Sequence, residues 1–175
     1  MDQKNNGNLL VLNATMILPE QTVLGDLRTE NGTISEIKIG GGLEPNDNEQ
    51  VIDATGLHLL PGAIDPQVHF REPGQPEKED LGSGSAAAVS GGITSFLDMP
   101  NNKPAITDMK GMQMKLDSAA ATCVNNYGFF IGATPTNLAE LQEVVGTADA
   151  PRAIPGICGT KVFMGSSTGT LLVNE

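Results

Sequence analysis

The sequence predicts an α/β chain built in two parts, a small all-β segment over residues 1–60 and a parallel β-α series over residues 61–175. Three observations predict it. Short strand-like runs separated by turn signals fill the first part, and Asn31-Gly32 is the strongest hairpin signal among them. From Pro61 the rhythm changes to apolar strands alternating with helical segments, which implies a parallel sheet with right-handed crossovers. Along the first of those strands Gln67, His69 and Arg71 alternate, so three polar groups share one face while Ile64, Val68 and Phe70 share the other.

In the first part, Leu9 to Leu18 is apolar and reads as a strand. Thr22 to Arg28 and Thr33 to Ile39 pair across the Asn31-Gly32 turn, Gly40 to Gln50 is a polar loop, and Val51-Ile52 resumes extended backbone. Roughly 50 residues of short strands make a small sheet that needs a neighbour to complete its core.

In the second part, Ile64 to Phe70 reads as a strand and Lys78 to Ser90 as a helix of small residues ended by Gly91-Gly92. Thr94 to Met99 is the next strand. Met109 to Cys123 follows as a helix, with Met112, Leu116 and Ala119 at helical spacing and Met109, Met112 and Met114 read as core filler. Phe129 to Ala133 gives a third strand, Asn137 to Val145 a third helix, and Ile157 to Met164 a fourth strand.

The polar positions on these strands are the candidate site. Pro61-Gly62 opens the first strand and Arg71-Glu72-Pro73-Gly74 closes it with turn chemistry, so His69 and Arg71 lie at its carboxyl end. In parallel α/β architectures that end carries the active site. Burying an imidazole and a guanidinium together is unfavourable unless a metal, an anion or an acidic partner compensates. Lys161 is a lysine inside the apolar run Gly159 to Gly165, with Val162 and Met164 on the helix side and Lys161 and Phe163 opposite. Desolvation there would lower its pKa toward neutrality and make it a nucleophile, able to form a Schiff base or a carbamate. The alternative is a stem that snorkels to the rim. Asn101, after the second strand, can orient a carboxylate or an amide, although Pro100-Asn101-Asn102 is also ordinary turn sequence.

Composition excludes several classes of partner. A formal charge of −11 and a pI near 4.4 argue against nucleic acid and against an anionic membrane surface. One tyrosine, five phenylalanines and no tryptophan leave few platforms for stacking bases. The N-terminus lacks the pattern of a secretory signal, and no apolar run approaches the roughly 20 residues of a membrane span, so the expected location is the cytoplasm. Cys123 and Cys158 have no CxxC spacing and suggest neither a disulfide framework nor a zinc knuckle.

Three linked motifs in order, PGAIDPQVHFREPG at 61–74, FLDMPNNKP at 96–104 and TKVFMGSSTG at 160–169, resemble the amino-terminal portion of the dihydroorotases of the cyclic amidohydrolase superfamily. The resemblance implies a metal-dependent (β/α)8 TIM barrel, here only its first half, flanked by a small β-sandwich to which the N-terminal segment contributes. It implies reversible hydrolysis of the cyclic amide of dihydroorotate to N-carbamoyl-aspartate in pyrimidine biosynthesis, with one or two Zn2+ ions or another divalent metal. By the resemblance His69 matches the second histidine of the HxH metal motif. Arg71 and Asn101 match residues that hold the substrate carboxylate, and Lys161 matches the lysine carboxylated to bridge two zinc ions.

Two departures stand out. Gln67 occupies the place of the first histidine of HxH, and its amide is a weaker zinc ligand than imidazole. Residues 61–175 also supply under half of the roughly 250 residues of a whole barrel. The family's proton-shuttling aspartate is therefore expected beyond residue 175, and no catalytic residue is assigned within the chain. An open half-barrel would expose parallel strand edges. On that ground the chain alone is expected to be inactive, and to form a homo-oligomer or to associate with the missing half-barrel.

Other readings compete. Gly82 to Ala87 fits the G-x-G-x-x-A nucleotide pattern but does not directly follow a strand, so tight helix packing explains it better. Gly165 to Gly169 could form a backbone anion nest or simply leave the fourth strand. A non-catalytic homologue acting as a structural partner, favoured by Gln67, and a hydantoinase-type enzyme are the alternatives in function.

Overall fold

A computed structural model describes residues 7–165 and 171–173, so the sequence from Ser166 to Gly169, with its nest reading, lies outside the described residues. The chain divides into two compact units, Met1–Pro61 and Gly62–Glu175.

The first unit is a mixed sheet. Strands β1 (Leu9–Ile17), β2 (Thr22–Glu30) and β3 (Thr33–Ile39) are antiparallel neighbours, and the short β4 (Gln50–Asp53) and β5 (His58–Leu59) both pair in parallel with β1. Between β2 and β3, Asn31 and Gly32 take φ of 52° and 77°, the left-handed pair that a two-residue hairpin turn requires. The β1–β2 register shifts between Val11 and Ala14, where Asn13 has φ of 60° and its amide turns from the ladder to the Asp26 carboxylate at 2.8 Å. Val11, Ala14, Met16 and Ala54 form the core of this unit. β5 has no counterpart in the sequence reading, because two residues are too few to carry a pattern.

The second unit alternates β6 (Ala63–Val68), α1 (Leu81–Ser90), β7 (Ile93–Asp98), α2 (Met109–Thr122), β8 (Asn126–Gly132), α3 (Leu138–Val145) and β9 (Ile157–Lys161). Its four strands lie side by side in chain order and all run parallel. Asp80 and Asp108 cap α1 and α2, accepting from the amides of Ser83 at 2.6 Å and Gly111 at 2.7 Å. The core joins Phe70, Phe96 and Phe129 from successive strand regions to Leu81, Met112, Ala119 and Val144 from the helices. Phe70 meets Phe96 edge to face at 4.8 Å between centroids. A Cβ on Gly84 would come within 2.7 Å of the Phe70 ring, so this glycine of the 82–87 motif serves close helix packing.

Several expectations need correction. α1 starts at Leu81 rather than Lys78, because the Asp80 cap fixes its first turn while residues 75–79 fold back, Lys78 N donating to Gln75 O and Arg71 N to Glu79 O. β6 ends at Val68, since the Phe70 amide leaves the ladder for the Asp98 carboxylate. Within β6, Pro66 has no N–H and the Gln67 amide turns to Asp65 Oδ1, so the regular alternation read along Gln67, His69 and Arg71 is broken. Met112 is buried and Met109 packs beside the core, but Met114 is 59 % exposed, being two positions from Met112 on a 3.6-residue helix. Val162 and Met164, expected against the helices, are exposed, because β9 ends at Lys161.

Candidate functional site

His69 follows the last residue of β6, Asn101 lies in the turn that leaves β7, and Lys161 is the last residue of β9. All three therefore sit at the carboxyl ends of the parallel strands. The structure brings two of them together: His69 Nδ1 and Asn101 Oδ1 are 2.8 Å apart. An amide oxygen only accepts, so this contact calls for a proton on Nδ1, and in the neutral ring that tautomer leaves the Nε2 lone pair for a ligand. Fixing a tautomer through the remote ring nitrogen is how metal-binding histidines are oriented. His69 is exposed, unlike the buried imidazole the sequence suggested.

Arg71 is half-buried, and its backbone is held on both sides, its amide donating to Glu79 O and its carbonyl accepting from Gln75 N. Among the described residues nothing bonds its guanidinium, which leaves a planar fork suited to a carboxylate. The Lys161 ammonium lies 5.3 Å from the centroid of the Phe163 ring, so these two side chains do share a side, as their parity predicts.

The strongly desolvated lysine is a different one. Lys115 on α2 is 1 % exposed, with its Nζ 2.6 Å from Asp98 Oδ2 and 2.8 Å from Asn102 Oδ1. Burial pushes Lys115 below the usual lysine range and pushes Asp98 above the usual carboxylate range, and their mutual attraction opposes both shifts. Sequence reasoning missed this pair although a signal existed. Lys115 stands three residues after Met112 and four before Ala119, on the apolar stripe of its own helix.

Among the described residues no three His, Cys, Asp or Glu side chains are arranged to hold a metal ion. Of the residues read as ligands from the sequence, His69 offers an imidazole and Gln67 a weak amide oxygen, while the Lys161 amine has no lone pair as an ammonium and could contribute only once carboxylated; these are part of a ligand set rather than a whole one.

The profile described as "Amidohydrolase family" matches residues 58–168. The chain belongs to the amidohydrolase family. It is 38 % identical over 152 residues to a dihydroorotase of Methanosarcina acetivorans, covering 86 % of this chain and 30 % of that protein. It is 34 % identical over 157 residues to an allantoinase of Desulfitobacterium hafniense, covering 89 % and 32 %. A D-hydantoinase from Thermus sp. superposes with a TM-score of 0.76 at 27 % identity, over 95 % of this chain and 35 % of that one. The expected likeness to dihydroorotases is borne out, as is the barrel class: β6 to β9 with α1 to α3 correspond to part of an amidohydrolase TIM barrel. The chain spans about a third of the length of these relatives. Among the described residues, no helix is long and apolar enough to cross a membrane.

Proposed function

We propose that this amidohydrolase-family chain contributes to a dihydroorotase, in which Arg71 and Asn101 receive the carboxylate of dihydroorotate and His69 and Lys161 face a divalent metal. One observation carries the reading. The Asn101 carbonyl is engaged at 2.8 Å by His69, which stands two residues before Arg71; this leaves the Asn101 amide N–H groups to donate, and among the described residues nothing occupies the Arg71 fork. A carboxylate-bearing ring suits that pair of donors, whereas allantoin and hydantoin carry no carboxylate. His69 would offer Nε2 to a zinc ion, Lys161 would offer a carbamate oxygen once carboxylated, and Gln67 would offer at most a weak amide oxygen. Bound there, the ion would polarise the ring carbonyl and lower the pKa of a water. Arg71 would orient the ring by a bidentate contact, and Asn101 would serve both as a substrate donor and as the fixer of the His69 tautomer. The reading carries with it a small-molecule substrate, a cytoplasmic location, a proton-shuttling aspartate supplied from outside residues 1–175, and either self-association or association with a further half-barrel.

Binding of dihydroorotate, hydantoin and allantoin by calorimetry tests it. Dihydroorotate should bind best, and Arg71→Ala should weaken it by about 2 kcal/mol, roughly thirtyfold, the scale of a hydrogen bond to a charged group. Equal binding of the two carboxylate-free rings, or no effect of Arg71→Ala, would overturn it. Gln67 favours a second reading, a non-catalytic homologue that acts as a structural partner, because a glutamine at this position weakens any metal site. In a complete enzyme context, a gain in bound zinc on Gln67→His with no gain in turnover would favour the second reading.

A further inference from the structure

Next to the exposed His69 and the half-buried Asn101 lies a buried polar unit that plays no part in the reading above. It consists of Asp98 at the end of β7, Asn102 in the turn that follows, and Lys115 on α2; they are 0 %, 7 % and 1 % exposed. Lys115 Nζ bridges Asp98 Oδ2 at 2.6 Å and Asn102 Oδ1 at 2.8 Å. What this unit holds is backbone rather than other side chains. Asp98 Oδ1 accepts from the Phe70 amide at 3.1 Å, and Asn102 Nδ2 donates to the carbonyls of Phe70 at 3.1 Å and Glu72 at 3.0 Å. The residues immediately before and after Arg71 are therefore both tied to the same buried cation. The Glu72 side chain extends the hold, with Oε2 accepting from the Leu81 amide at 3.0 Å and Oε1 accepting from Ser118 Oγ on α2.

Burying a lysine and an aspartate away from water is weak evidence of stabilisation, since apolar residues of similar volume often serve as well or better. A buried network of paired charges and hydrogen bonds instead fixes one geometry. Here the fixed object is the segment 70–72, and adjacent asparagines divide the work, Asn102 facing the buried lysine and Asn101 the imidazole.

We propose that Asp98, Asn102 and Lys115 form a positioning unit that sets the Arg71 guanidinium for its ligand by clamping the backbone on either side of it. The proposal rests on the reading of Arg71 as a carboxylate receptor, and its test separates the two. In the full chain, Asn102→Ala keeps the ion pair and removes both carbonyl contacts. A second variant, Asp98→Leu with Lys115→Met, removes the charges together without leaving one of them buried alone and takes away the acceptor of the Phe70 amide. Two readouts apply, hydrogen exchange at the backbone amides of residues 70 and 71 and a dihydroorotate titration by calorimetry.

Both variants should exchange those amides about tenfold faster or more, and should weaken dihydroorotate several-fold while amides of β8 keep their protection. Lys103→Ala, an exposed neighbour in the same turn, should change neither readout. If Arg71→Ala abolishes dihydroorotate binding but the folded Asn102→Ala variant binds and exchanges like the parent, the positioning unit is overturned and the receptor reading stands. If Arg71→Ala leaves binding intact, the receptor reading fails, and exchange at Phe70 and Arg71 still decides whether the clamp exists. Should Asn102→Ala not fold, the charge-neutral double variant decides by the same two readouts.

Discussion

Among the described residues, each unit of this chain buries one aspartate that ties a loop down, and the two do it by opposite means. Asp26 in the first unit is held by backbone alone, accepting from the amides of Asn13 at 2.8 Å and Leu43 at 2.9 Å. Asp98 in the second unit accepts from the Phe70 amide and also faces the Lys115 ammonium at 2.6 Å. Their pKa values move in opposite directions. At Asp26 burial pushes the carboxyl up, but the amides of Leu43, Asn13 and Gly42, with Lys38 nearby, outweigh it and leave the pKa below the ordinary value. At Asp98 burial dominates even against an adjacent cation, and the pKa is raised. Backbone dipoles fixed by the fold stabilise a carboxylate without removing a second charge from water, whereas a buried ammonium brings its own desolvation. The first arrangement suits a structural brace. The second holds a geometry at some expense of stability, which fits a place beside a site.

The largest break in the comparison is Lys115→Met, which strands the Asp98 carboxylate in a fully buried position. It should lower the stability of the second unit by about 3–5 kcal/mol, while Asp98→Asn with Lys115→Met recovers most of the loss. Urea unfolding followed at amides of β8 checks this. A single variant as stable as the double would mean that Asp98 is not charged in the native state.

Next in size is Asp26→Ala, which strands the amides of Asn13 and Leu43 and should destabilise the first unit by about 1–3 kcal/mol. Acid gives the same information reversibly. Because the folded pKa of Asp26 is depressed, its contribution is complete above the unfolded value near ~3.9 and is lost as the pH falls through the folded value. The sign reverses at Asp98, whose raised pKa means that the folded carboxyl takes up a proton more readily than the unfolded one, so acid withdraws no stability through it. Hydrogen exchange between pH 6 and pH 3 should therefore show protection falling at Asn13 and Leu43, with Phe70 failing to follow the same curve. Parallel loss at all three amides would show that one carboxylate mechanism serves both units.

The parts that the sequence made legible are those whose physics is local. Asn31-Gly32 names its own turn, and the alternation of strands and helices after Pro61 needs only a count of residues to imply a parallel sheet. The carboxyl ends of β6, β7 and β9 followed from the same pattern, and with them the positions of His69, Asn101 and Lys161. What could not be read depended on contacts between distant segments. The Phe70 amide leaves the strand only because Asp98, 28 residues on, lies within reach, so strand parity was extended past the point where the strand ends. Lys161 attracted the desolvation argument because it interrupts an apolar strand, yet the burial falls on Lys115, whose place on the apolar stripe of α2 has meaning only once Asp98 is known to face it.

The smallest effect on stability, and the sharpest on the candidate site, is expected from Asn101→Ala. The contact it removes is exposed, so folding should change by no more than about 0.5 kcal/mol. The imidazole is another matter. With Asn101 Oδ1 as the acceptor, the neutral ring should carry its proton on Nδ1 and leave Nε2 bare; without it, the ring is free to exchange tautomers, and the population with an Nε2 lone pair should fall. Long-range nitrogen–proton correlation spectra of the ring, recorded at a pH where His69 is neutral, should show the Nδ1–H form in the parent and a shift toward Nε2–H in the variant. An unchanged pattern would mean that Asn101 does not set the tautomer, and the case for His69 as an oriented metal donor would lose its structural basis. A changed pattern with unchanged folding would show a second asparagine role next to that of Asn102, with one residue of the turn acting on the backbone behind the site and its neighbour on the ring in front of it.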